Sequence, residues 1–114
     1  MRQPTFFDKS ESERAPDLER LALYALGEFQ ARGKLLAERE LPLDRLRGAL
    51  RRAAAAFGVE EPEDEAAASA LTGVGARVRR VPTFFAKHPF RVLVSKELAE
   101  RALRFFNESA APEG

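Results

Sequence analysis

Residues 77–95 read RVRRVPTFFAKHPFRVLVS, and this stretch decides the fold class because the hydrophobic period changes there. Before it, apolar residues recur at helical spacing, whereas here Val and Phe alternate with Arg as they do in β-strands. Pro82 and Pro89 bracket residues 83–88, and a proline cannot donate a hydrogen bond to a sheet. We therefore predict two strands joined by a connection, an edge segment or a hairpin arm. Since residues 90–94 are apolar on both faces, the second strand should be central.

Helical patterns precede this stretch. Six apolar residues between Leu18 and Phe29 lie on one stripe of a helix, with Pro16 in its first turn and Gly33 after its end. A second pattern begins near Pro42 and ends at Gly58. Between the two helices, residues 34–40 fit either a short edge strand or a linking turn.

Two shorter helices complete the prediction. Residues 66–71 follow an acidic cluster, residues 60–65, which suits the positive end of a helix dipole. Ser95 can cap a last helix that follows the strands. We predict an α+β fold in which three to four helices pack on one face of a small, mostly antiparallel sheet. The expected core residues are Leu18, Leu21, Ala25, Leu26, Phe29, Leu43, Leu46, Leu50, Phe57, Val78, Phe90, Val92, Val94, Leu98 and Leu103.

The length of 114 residues suits one domain with a single hydrophobic core. Residues 1–14 and 107–114 are predicted to be mobile tails because they are polar and terminal. No apolar run follows Arg2, so we expect no signal peptide, and residues 66–76, the longest uncharged stretch, are too short to cross a bilayer. These features predict a cytoplasmic protein with no membrane partner.

The residue inventory excludes several classes of site. The chain has no cysteine, which removes disulfides, thiolate metal sites and thiol nucleophiles. His88 is the only imidazole, so a site with several histidines is excluded, and no Gly-x-Ser-x-Gly elbow is present. The carboxylates of residues 60–65 lack the spacing and glycine of a calcium loop. We predict a protein that is not an enzyme and that holds neither a cofactor nor a metal.

Charge is the most polarised property of the chain. Residues 66–96 contain no Asp or Glu but carry six cations, whereas residues 1–65 have a net charge of −3 and the whole chain one of +1. Phenylalanines lie among these cations, and cationic grooves with exposed aromatic rings are typical of single-strand nucleic-acid platforms. We therefore predict binding of nucleic acid or another polyanion through a basic surface that contains Phe. Its candidate residues are Arg77, Arg79, Arg80, Phe84, Phe85, Lys87, His88 and Arg91.

Two other interpretations remain open at this stage. The phenylalanines can belong to the core while the cations protect an exposed sheet edge from aggregation or pair with the acidic cluster. Alternatively, exposed Phe and Leu side chains can form a protein-interaction surface or a homodimer interface.

The amino-acid usage carries a resemblance. Arg outnumbers Lys 15 to 4, Ala is abundant and Cys is absent, a bias typical of high-GC genomes and heat-adapted proteins. In these respects the chain resembles small uncharacterised proteins, domains of unknown function, from thermophilic bacteria of that type. The resemblance implies no functional residue.

Overall fold

A computed structural model describes the backbone of residues 2–82 and 90–110, and the side chains of residues 17–82 and 90–109. The described part contains four α-helices and three β-strands, which makes it an α+β protein as predicted. In chain order the elements are α1 (Arg2–Ala31), β1 (Glu40–Pro42), a 3₁₀ turn (Leu43–Leu46), α2 (Arg47–Phe57), α3 (Asp64–Gly73), β2 (Arg77–Arg80), β3 (Phe90–Leu93) and α4 (Lys96–Ala110).

The three strands form one antiparallel sheet in the order β1-β3-β2. Its register aligns Leu41, Val92 and Val78 across the three strands. The prediction that residues 90–94 supply the central strand is confirmed. Residues 34–40 contribute an edge strand only at their last residue, Glu40, although Ala37 also forms an isolated bridge with Val94.

The helix termini follow from local chemistry. Gly58 ends α2 in the left-handed conformation with φ of 70°, which glycine adopts without steric cost. At the start of α4, the Leu98 amide donates a hydrogen bond of 3.1 Å to the Ser95 hydroxyl, so the predicted cap is confirmed.

The long helix α1 begins at Arg2, so the prediction that it starts at Pro16 is wrong. A proline inside a helix removes one backbone donor and its ring crowds the preceding turn, at a cost of about 3 kcal/mol or more. The Lys, Glu and Arg residues of the segment before Pro16 favour helix, and α1 continues through the proline. The mobility expected of residues 1–14 and 107–114 stays a prediction.

Helix α1 packs against the other three helices, and the buried apolar residues form one cluster. Leu26 of α1 and Val94, which follows β3, are fully buried within it. Leu41 and Val92 of the sheet face the same cluster, and Val78 packs against it while partly exposed. Because side chains alternate along a strand, the residues between them lie on the opposite, open face of the sheet. This open face holds the candidate site.

Candidate polyanion-binding surface

The open face of the sheet carries three arginines. The register places Arg79 of β2 opposite Arg91 of β3, while Arg77 lies two residues before Arg79 on the same face. Leu93, half-buried, pairs with Arg77 and provides apolar surface among the cations. We call the set Arg77, Arg79 and Arg91 the basic face. The sheet thus brings together three residues of the predicted site from two strands.

A carboxylate of β1 contacts the basic face. Glu40 of β1 accepts two hydrogen bonds from Arg79, at 2.7 Å to Nε and 3.0 Å to Nη2. These hydrogen bonds, the attraction of Arg79 and that of Arg91 hold the pKa of Glu40 below its ordinary value, although desolvation opposes them. The same hydrogen bonds and charge raise the pKa of Arg79. Glu40 therefore neutralises part of the surface and occupies the planar donors of one guanidinium.

Arg77 differs from its neighbours because it makes no ion pair with any side chain in the described part of the chain. It is exposed and borders a hollow of about 300 Å³, whose other lining residues include Gly75, Leu93 and Ser95. The guanidinium of Arg77 is therefore available to a ligand without the loss of an ion pair to a described side chain.

Arg80 lies on the other face of the sheet, opposite Phe90 in the register. Its guanidinium carbon is 4.6 Å from the centroid of the Phe90 ring, and its Nη2 donates to Glu65 of α3 at 2.8 Å. Phe90 is only 9% exposed. For Phe90 and Arg80 the structure therefore matches the interpretation that the phenylalanines belong to the core and the cations pair with the acidic cluster.

Four residues of the predicted site, Phe84, Phe85, Lys87 and His88, lie outside the described residues. The predicted stacking of a base on Phe84 or Phe85 stays a prediction.

The arginines of α2 are held mainly by carboxylates. Arg47 binds Asp64 and, at 3.0 Å, Glu61, which also contacts Arg51. The acidic cluster of residues 60–65 therefore pairs with arginines, as one of the sequence interpretations held. The ion pairs of this cluster link α2 to the start of α3.

Arg52 of α2 is engaged with a buried carboxylate of α1. It donates to both oxygens of Glu28, at 2.6 and 2.9 Å, while Arg32 donates at 2.8 Å. Burial raises the pKa of Glu28, but the hydrogen bonds from Arg52 and Arg32 outweigh burial and hold the pKa below its ordinary value. Arg52 therefore joins two helices and does not extend the basic face.

Sequence reasoning missed Glu40 as a member of the site. It is 39 residues from Arg79 along the chain, and only the pairing of β1 with β3 brings it near. The sequence signal was weak, because a three-residue strand offers too little alternation to reveal which face Glu40 occupies.

Within the described residues, no group of three or more His, Asp or Glu side chains is placed to hold a metal ion. No helix of that part combines the length and apolar character needed to cross a membrane. Comparison of the chain with protein-family models, with curated proteins and with solved structures finds no match.

Proposed function

We propose that this protein is a non-enzymatic, cytoplasmic binding protein whose basic face holds single-stranded nucleic acid through its phosphates. The observation that carries the proposal is the convergence of Arg77, Arg79 and Arg91 on one open face of the sheet. Guanidinium groups neutralise phosphates and release condensed counterions, which makes binding favourable and dependent on salt.

The spacing of these cations suits an extended polyanion. Residues two apart on a strand are separated by about 7 Å, and neighbours across strands by about 5 Å. The three guanidiniums therefore offer a small array over a flat sheet, with Leu93 as apolar surface between them. Phosphate contacts carry no sequence information, so we expect weak discrimination between sequences.

A paired-variant experiment tests the proposal. Arg77→Gln/Arg91→Gln removes two cations of the basic face, and Arg45→Gln/Arg104→Gln removes two exposed cations elsewhere, so both variants lose the same net charge. Binding of a fluorescein-labelled oligothymidine is measured by anisotropy across a salt series. Each arginine that contacts a phosphate adds about 0.7 to the slope of log affinity against log salt, so the first variant should lose about 1.4.

The control variant should keep the slope of the unchanged protein. Equal slopes in all three proteins, or equal losses in both variants, would overturn the assignment to the basic face. Duplex DNA and heparin serve as further ligands: tight binding of heparin with none of the oligonucleotide would contradict the choice of nucleic acid.

A further inference from the structure

The hollow beside Arg77 lies at the end of the sheet where β2 begins and β3 ends. Glu38, from the segment before β1, lines it together with Arg77, Leu93 and Ser95. Its volume of about 300 Å³ is at the lower end of the range of pockets that hold small organic groups. The hollow thus adjoins the basic face through Arg77 and has room for one base of a strand whose phosphates lie on that face.

The backbone of Glu38 adopts a conformation that favours glycine. Its φ is 61°, in the left-handed region, and within the described part of the chain it is the one residue other than glycine with a positive φ. The Glu38 amide donates to the carbonyl of Val94 at 2.6 Å, which holds this backbone beside the end of β3. Because a side chain is disfavoured in this conformation, glycine would serve the fold better. Strain of this kind concentrates at functional sites.

The side chains around the hollow offer a defined set of hydrogen-bonding groups. Glu38 is exposed and makes no ion pair with a described side chain, Arg77 included. When ionised, its carboxylate presents two oxygens that only accept hydrogen bonds. The Ser95 hydroxyl accepts from the Leu98 amide at 3.1 Å and keeps its own proton to donate. The hollow therefore combines a pair of acceptors, a donor and the apolar side chain of Leu93.

Guanine matches this set better than the other bases do. In a single strand its Watson–Crick edge is free, and that edge carries two adjacent donors, N1–H and the N2 amino group, beside the acceptor O6. Adenine and cytosine place an acceptor nitrogen next to their amino donor, and thymine flanks its one donor with two carbonyl oxygens. A carboxylate would meet a lone pair on each of these three bases.

We propose that the hollow binds a guanine base of the single strand, with Glu38 accepting from N1–H and the N2 amino group and Ser95 donating to O6. This inference rests on the proposed function, because the basic face must hold the adjoining phosphates. Phosphate contacts supply affinity without discriminating between sequences, and Glu38 adds a preference at one position. Glu38 is thus a specificity-determining residue of the same site.

The test compares short fluorescein-labelled oligothymidines that carry deoxyguanosine, deoxyadenosine, deoxycytidine or deoxyinosine at one central position, with affinities measured by anisotropy. A bidentate contact to a base discriminates about tenfold, so the deoxyguanosine oligomer should bind about tenfold more tightly than unmodified oligothymidine. Deoxyinosine lacks the N2 amino group and should lose much of this gain. Equal affinities for all these oligomers would overturn the assignment of the hollow to guanine.

Variants of Glu38 test its role. Glu38→Gln keeps the size of the side chain but replaces one acceptor oxygen by a donor, so the preference for guanine should disappear. Glu60→Gln removes an exposed carboxylate elsewhere and should retain the preference. Glu38→Gly relieves the strain at φ of 61°, should fold as the unchanged protein does by circular dichroism, and should also lose the preference. If Glu38→Gln raises the affinity for every oligomer by the same factor, Glu38 only repels phosphates and the proposal is wrong.

The two proposals fail in different ways. If only the guanine assignment is wrong, oligothymidine still binds with a salt slope that Arg77→Gln/Arg91→Gln reduces, while no base is preferred. If the basic face does not hold single strands, no oligomer binds or the double variant keeps the slope, and both proposals fail. The expected result is a preference for guanine that both Glu38 variants lose and Glu60→Gln keeps.

Discussion

Replacing Glu40 by glutamine should strengthen oligonucleotide binding and steepen its dependence on salt. Glutamine keeps the size of the side chain but removes the charge that holds two donors of Arg79, at 2.7 and 3.0 Å. Arg79 then becomes available to a phosphate, and the electrostatic attraction of the basic face rises by one unit of charge. On the proposed function, Glu40 competes with the ligand for Arg79.

The magnitude follows from counterion release. One additional phosphate contact to a single strand should raise the slope of log affinity against log salt by about 0.7. Between about 50 and 200 mM salt, that difference makes the variant lose about 2.6-fold more affinity than the unchanged protein. The gain in affinity should therefore be largest at low salt and shrink as salt is added.

The assay is the same anisotropy titration, run at several salt concentrations with Glu60→Gln as the control of equal charge. Glu60 is exposed and has no ion pair among the described residues, so its replacement changes net charge away from the sheet. We expect the control to leave the slope unchanged. If Glu40→Gln and Glu60→Gln raise affinity equally, or if neither raises it, Arg79 does not contact the ligand and the reasoning about the basic face is wrong.

Two further predictions concern the scaffold. Gly27→Ala should lower the free energy of unfolding by about 1–3 kcal/mol in urea titrations, because a Cβ there would overlap the backbone of Ala102 in α4. In Gly48→Ala the new Cβ would meet only the end of the Arg52 side chain, at 3.2 Å, so the free energy of unfolding should change little. A similar loss of stability in both variants would refute the packing argument. Glu28→Gln should destabilise the protein above pH 4.5, the ordinary pKa of a glutamate, because the lowered pKa of Glu28 makes its charged form stabilising. That stabilisation fades as pH falls through the lowered pKa of Glu28, so the free energies of unfolding of the two proteins should converge in acid. A difference in free energy that stays constant with pH would contradict this.

The elements with strong periodicity were predictable. The apolar stripe of α1 and the two-sided apolar run of β3 follow from spacing alone, and both occupy the positions expected of them. Most of the expected core is buried, whereas Leu18, Phe57 and Val78 lie at its margin and Leu103 is only half-buried. Phe57 is the last residue of α2 and Val78 lies on an edge strand, whereas Leu18 and Leu103 lie within helices. At all four positions the periodic pattern gives the direction of a side chain but not the number of its neighbours.

The start of α1 and the position of β1 were not predictable from local signals. Pro16 is typical of a first helical turn, whereas the Lys, Glu and Arg residues before it favour helix, so the local signals around Pro16 conflict. Strand β1 has three residues, and its existence depends on pairing with β3, more than 45 residues away along the chain. Tertiary contacts therefore decide the position of β1.

For the candidate site, the sequence indicated the cations but not their directions. A run such as Arg77-Val78-Arg79-Arg80 puts alternate residues on opposite faces, yet only the packing of Val78 against the core shows which face is open. The same packing sends Arg80 toward Glu65 and leaves Arg77 and Arg79 outside. A count of charges along the chain therefore overstated the number of cations that lie on one surface.

The two carboxylates that contact β2 act on it from opposite sides. Glu40 holds Arg79 on the open face, and Glu65 holds Arg80 on the face toward α3, so each restrains one cation of the strand. Both pairs are exposed, and exposed ion pairs contribute little to the stability of the fold. Arg77 makes no ion pair with a described side chain, although Glu38 lines the same hollow. On the proposed function, Arg77 therefore contacts a phosphate without the loss of an ion pair, whereas Arg79 must first release Glu40.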